Sequence, residues 1–135
     1  MKPFRFDHRA LGRLAPGIMN KTEAAYAQHL DLLVKTGDVL WYRFEGLKFR
    51  LADKTFLTPD FVVMTRGGLI ELHDVKGFMM DDANVKMKVA ADQYPFEFFI
   101  IRKRGSFWMK SPVSHRVPAA SHTEGENERA GASHG

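Results

Sequence analysis

Cysteine is absent from the 135 residues, which excludes disulfides and thiolate-bound zinc. Paired histidines are missing too. The six present are scattered with no two at ligand spacing, so a histidine-built zinc site is not expected. Long apolar runs are also lacking: the opening "MKPFRFDHRA" has no hydrophobic core of a secretory signal, and no stretch approaches the roughly 18 apolar residues of a membrane span. The expectation is a cytoplasmic protein. From Ser111 onward aromatic residues vanish, and the chain turns to Ser, Gly, Ala and Glu. Such a segment buries too little apolar surface to offset its ordering entropy, so 111–135 reads as a disordered tail.

Acid is scarcer than base, 16 residues against 20. Setting aside the two basic and three acidic residues of the tail leaves 18 against 13 over residues 1–110, a body of charge about +5. That balance suits an anionic partner such as nucleic acid, although a soluble basic protein with no such partner would carry it as well. Length and composition fit one domain with a single core.

Residues 1–19 mix basic and aromatic side chains without periodicity and read as an N-terminal arm. Asn20 then offers an N-cap, with Glu23 at capping-box spacing, before "AAYAQHLDLLVKTG". Ala27, Leu30 and Val34 form the apolar stripe of this helix, with Tyr26 and Leu33 beside it. Gly37 stops it. "DVLWYRFEGLKFRLADKTFLTPDFVVMT" and "LIELHDVK" carry the β-branched and aromatic content of strands, punctuated by "EG", "ADK" and "RGG". A second helix is expected over Asp81–Tyr94 with acid in its first turn. A strand buried on both faces is expected over 96–103, and "GSFWMK" closes the body. The order predicts an α/β or α+β domain with a central sheet flanked by helices, occupying residues 20–110.

The chemistry concentrates in "TPDFVVMTRGGLIELHDVKG", residues 58–77. Strand alternation places Ile70, Leu72, Asp74 and Lys76 on one face, and Glu71, His73 and Val75 on the other. With "RGG" as a three-residue hairpin loop, paired positions sum to 134: Met64 faces Ile70, Val62 faces Leu72, and Asp60 faces Asp74. Two carboxylates opposed at the end of an apolar face repel each other unless a cation intervenes. Glu23 precedes Ala27, Leu30 and Val34 by four, seven and eleven residues, which sets a third carboxylate on the helix stripe. Three hard oxygen donors of this kind suit Mg²⁺ or Mn²⁺.

Each piece has a plainer reading. Glu23 is a capping-box residue, "PD" opens many strands, "DVK" is simple alternation, and Lys76 could be a solvated strand end. His73 points away from the acids. Asp81 and Asp82 suit a helix start, and Lys86 and Lys88 a solvated helix face. The three charges could also form a structural ion-pair cluster. Only the combination is specific.

Taken together, "TPDF", "DVKG", "DD" and "DQYPFEFFII" resemble the PD-(D/E)XK nuclease superfamily, within it the phage endonuclease I family of Holliday-junction resolvases. The likeness runs from about Asn20 to Lys103. It implies a restriction-endonuclease-like core and a Mg²⁺- or Mn²⁺-dependent endonuclease that hydrolyses DNA phosphodiesters, selective for branched DNA, in phage DNA processing within the host cytoplasm. By the same resemblance Glu23, Asp60, Asp74 and Lys76 are catalytic, and Glu23, Asp60, Asp74 and the Val75 carbonyl are metal ligands. Lys86, Lys88, Arg102, Lys103 and Arg104 are the candidates for phosphate contacts with DNA, and a homodimer would bring two sites together. Asp74 stands where the phage resolvases carry Glu. The alternative is a non-catalytic nucleic-acid-binding accessory protein that keeps the fold.

Overall fold

The computed structural model describes residues 15, 17–77 and 85–113. They form two helices and seven strands: α1 (Lys21–Thr36), β1 (Val39–Phe44), β2 (Phe49–Ala52), β3 (Thr55–Leu57), β4 (Phe61–Thr65), β5 (Ile70–Lys76), α2 (Val85–Gln93), β6 (Glu97–Arg104) and β7 (Phe107–Pro112). Five strands make a mixed sheet in the order β1-β4-β5-β6-β7, and β2 and β3 pair separately. The parallel β5–β6 pair needs a crossover, which contains α2. The fold is therefore α+β, with a five-stranded mixed sheet and two helices. No helix among the described residues is long and apolar enough to cross a membrane.

Each face of the sheet has its own core. On one face α1 lays Ala24, Tyr26, Ala27 and Leu30 against Phe61, Val63 and Ile101. On the other, α2 contributes Met87, Ala90 and Ala91 against Val62, Leu72 and Phe98, roofed by Phe49 and Leu57 of the β2–β3 pair. Full burial of the larger side chains, such as Leu30, Phe61, Leu72 and Met87, contributes about 1.5–3 kcal/mol each. Strand β6 serves both cores, as its nearly continuous apolar run implied: Phe98 and Ile100 face α2, while Phe99 and Ile101 face α1.

The local signals of α1 hold. Asn20 Oδ1 accepts from the Glu23 amide at 2.7 Å, and Glu23 Oε1 accepts from the Asn20 amide at 2.9 Å. Gly37 sits at φ +88°, a left-handed conformation that glycine adopts without strain. The hairpin register is also as the loop length required. Phe61, Val62 and Met64 pair with His73, Leu72 and Ile70, and the Thr65 amide closes the "RGG" loop on the Leu69 carbonyl at 2.9 Å.

Two expectations need correction. Val34 is 40% exposed rather than buried, because periodicity assigns a helix face without saying how far the sheet extends beneath it. The other is β7, a full strand that runs two residues past 110, through Ser111 and Pro112. It is an edge strand, where proline is tolerated because the missing donor faces no partner. The expected start of the second helix at Asp81 and Asp82 lies outside the described residues, which hold α2 from Val85 to Gln93.

Candidate functional site

The four residues singled out from the sequence come from three elements that meet at one end of the sheet. Asp60 directly precedes β4, Asp74 and Lys76 end β5, and Glu23 lies in the first turn of α1. Asp74 and Lys76 share the face that packs on α2, and Glu23 reaches Asp60 from the α1 side around the sheet end. The capping-box role and the site role of Glu23 thus coexist.

Backbone hydrogen bonds set the two aspartates. The Asp60 amide donates to Asp74 Oδ1 at 3.4 Å, and the Val75 amide donates to Asp60 Oδ2 at 2.8 Å. Lys76 Nζ lies 3.1 Å from Asp74 Oδ2, with both side chains largely buried. Apolar neighbours flank the cluster on the ladder: Phe61 follows Asp60, and Ile100 pairs with Asp74. Burial, then the Asp74 charge, then that of Glu23 push the Asp60 carboxyl up to about 9. It therefore holds a proton near neutrality and shares a hydrogen bond with Glu23. Glu23 is itself raised, with burial the largest cause.

Glu45, passed over in the sequence as turn punctuation, belongs to the surroundings of this site. It closes β1 at φ +51°, its amide donates to the Asp60 carbonyl at 2.7 Å, and its carboxylate accepts from the Gly17 amide at 2.8 Å. Its charge adds to the rise of Glu23. The following Gly46 makes the turn possible, since a Cβ there would stand 2.7 Å from Val62 Cγ1. Nothing in the "EG" dipeptide distinguishes this turn from an ordinary one.

As placed, no three His, Asp or Glu side chains among the described residues converge into a ready metal cage. The donor set nevertheless fits a hard divalent cation. Asp60 hydrogen-bonds Glu23 and feels the Asp74 charge, Lys76 pairs with Asp74 alone, and a proton held on Asp60 relieves the repulsion. A divalent ion in place of that proton would relieve it more fully, with oxygen donors of the preferred kind. Glu23, Asp60 and Asp74 would hold it.

Of the five cations expected to face DNA, Arg102 pairs with Lys76 across the parallel ladder; Lys103 and Arg104 follow at the end of β6, Lys103 on the α1 face over Trp108. Lys86 and Lys88 sit apart, on the exposed side of α2, where Lys86 Nζ donates to the Phe56 carbonyl at 3.0 Å.

On the opposite face of β5, His73 is buried and belongs to a polar chain of its own. Nε2 lies 2.9 Å from Glu71 Oε1, which also accepts from Lys110 at 2.9 Å; Nδ1 lies 2.7 Å from the Tyr26 hydroxyl. Burial acts to raise Glu71, but the hydrogen bonds from His73 and Lys110 outweigh it and the carboxyl stays ionised. Burial lowers His73, keeping the ring neutral. The ring proton must then sit on Nε2, facing the carboxylate, and Nδ1 accepts from the Tyr26 hydroxyl.

Comparison of the chain with protein-family models, with curated proteins and with solved structures finds no match.

Proposed function

We propose that the protein is a metal-dependent endonuclease that hydrolyses DNA phosphodiesters by PD-(D/E)XK chemistry. The observation that supports the reading is geometric: the Asp60 amide lies 3.4 Å from Asp74 Oδ1, the Val75 amide 2.8 Å from Asp60 Oδ2 and Lys76 Nζ 3.1 Å from Asp74 Oδ2, with Glu23 hydrogen-bonded to Asp60.

In this reading Glu23, Asp60, Asp74 and the Val75 carbonyl would hold Mg²⁺ or Mn²⁺, which when bound would supply a water of lowered pKa and neutralise charge on the phosphoryl oxygens. Lys76 directs its ammonium group at the scissile phosphate, where it stabilises the developing charge in a partly dry site. Arg102, Lys103 and Arg104 carry the positive charge on along β6, Lys103 on the α1 face, and bind phosphates without reading sequence. Lys86 and Lys88 extend the contact along α2. A branched-DNA substrate and a homodimer, with two sites related by two-fold symmetry, complete the proposal.

A second reading draws on the Asp74–Lys76 ion pair and the backbone bonds that clamp Asp60: the cluster would be structural, in a protein that binds nucleic acid without cutting it. The deciding experiment is a cleavage assay with Mg²⁺, Mn²⁺ or EDTA on four-way junction, flap, nicked duplex, linear duplex and single strand. Lys76→Ala, purified in parallel, controls for contamination. Metal-dependent cutting is expected to fall at least ~100-fold in the variant, the scale of losing one transition-state donor. Binding without cutting on every substrate would establish the non-catalytic reading.

A further inference from the structure

The backbone of α1 lies against β1 and β5 and does not reach β6 or β7. The outer part of this sheet face is instead met by side chains. The Tyr26 and His29 rings of α1 approach Trp108 of β7, with centroids 5.0 and 6.3 Å away. Beneath them a cavity of about 250 Å³ opens between helix and sheet, walled by Leu30, Leu33, Val63 and Ile101 and floored by His73 and Glu71. Pockets for drug-sized ligands run to roughly 300–1,000 Å³, so this one suits a single planar ring system.

What stands at its rim narrows the ring's chemistry. Register pairs Lys103 with Trp108 and Ile101 with Lys110 on this face. Lys103 Nζ lies 4.8 Å from the Trp108 ring centre, and Lys110 Nζ lies 4.4 Å from that of Phe99. The acids nearby are already matched: Asp38 meets Arg66 at 3.0 Å and Glu71 meets Lys110 at 2.9 Å. An aromatic wall with cations beside it is how a base and its flanking phosphates are held in single-stranded nucleic acid. A base that carries phosphates uses the cation, the apolar wall and the indole face together.

We propose that this cleft between α1 and the sheet holds one unpaired nucleobase of a single strand, stacked on Trp108, with Lys103 on an adjoining phosphate. Lys103 leaves the indole face as the base arrives. The cleft lies on the α1 face of the sheet, opposite the face that carries Asp74 and Lys76. The inference deepens the endonuclease reading by naming an unpaired segment as part of the substrate.

Binding in EDTA tests it without requiring cleavage. Trp41 and Trp108 are the two tryptophans, so in Trp41→Phe the emission reports Trp108 alone. Titration with a short oligodeoxythymidylate is expected to quench that emission to saturation. An abasic oligomer of equal length and charge should bind about tenfold or more weakly, the scale of one stacked base. Equal binding of the two oligomers would overturn the proposal, leaving charge alone. Thymidine monophosphate quenching as tightly as the oligomer would also overturn it, in favour of a free-nucleotide site. Lys103→Gln, at an exposed position, should weaken oligomer binding and flatten its salt dependence with the melting temperature unchanged; unaltered binding would count against the proposal. Trp108→Ala should bind base-bearing and abasic oligomers alike, with circular dichroism confirming the fold. A protein that cuts DNA yet ignores the base loses only this inference. One that prefers the base-bearing strand yet cuts nothing keeps it and loses the endonuclease.

Discussion

Asp60 and Asp74 are held to each other through their backbones: the Asp60 amide donates to Asp74 Oδ1 at 3.4 Å, and Asp60 Oδ2 accepts from the amide of Val75, the residue after Asp74, at 2.8 Å. The two bonds draw the carboxyl groups together just beyond Phe61 and His73, the last ladder pair of the β4–β5 hairpin, and their repulsion is what a cation would act on.

Millimolar Mg²⁺ should raise the melting temperature of the wild-type protein, because an ion bound only by the folded state stabilises it by mass action. The shift should vanish in Asp60→Asn/Asp74→Asn. A thermal scan with and without EDTA reads both. An equal shift in the double variant would place any bound ion elsewhere.

Metal-free protein should lose stability as pH rises from about 7 to about 9. The Asp60 pKa is raised in the fold, so across that window the folded chain keeps a proton that the unfolded chain has already released, and stability falls as pH rises. The lowered pKa of His73 acts below its ordinary value of 6.5, outside the window. Asp60→Asn should flatten the profile. Melting curves in EDTA across this range provide the check, and an unchanged slope in the variant would assign the loss to another group.

Tyr26→Phe keeps the ring contacts with Phe61 and Trp108 but leaves His73 Nδ1, deep in the core, without its donor. The cost should be about 1–3 kcal/mol in a denaturant titration. Metal-dependent cleavage should persist, because His73 faces away from the carboxylates.

Asn20→Ala removes the cap of α1 and with it half of the bond pair that fixes Glu23. A loss of about 0.5–2 kcal/mol is expected. The Asn20 backbone amide still donates to Glu23 Oε1 in this variant, so metal-dependent cleavage should persist at a temperature where the variant remains folded.

Much of this was legible in the residues themselves. The cap at Asn20, the stop at Gly37 and the three-residue "RGG" loop depend on near neighbours along the chain. Loop length together with the two-residue period of strands then determined that Asp60 faces Asp74, and that Lys76 shares the Asp74 face. Tertiary structure decided what depends on distant segments. It brought Glu45 beside Glu23 through an unremarkable "EG" turn, left Val34 in solvent where the stripe predicted burial, and joined Tyr26, His73, Glu71 and Lys110 from three separate elements into one chain of hydrogen bonds. Periodicity carries the direction of a side chain from its element, but not which other element lies across from it. That follows from how helices and sheet pack, and with it came the protonated Asp60 and the cleft under Trp108.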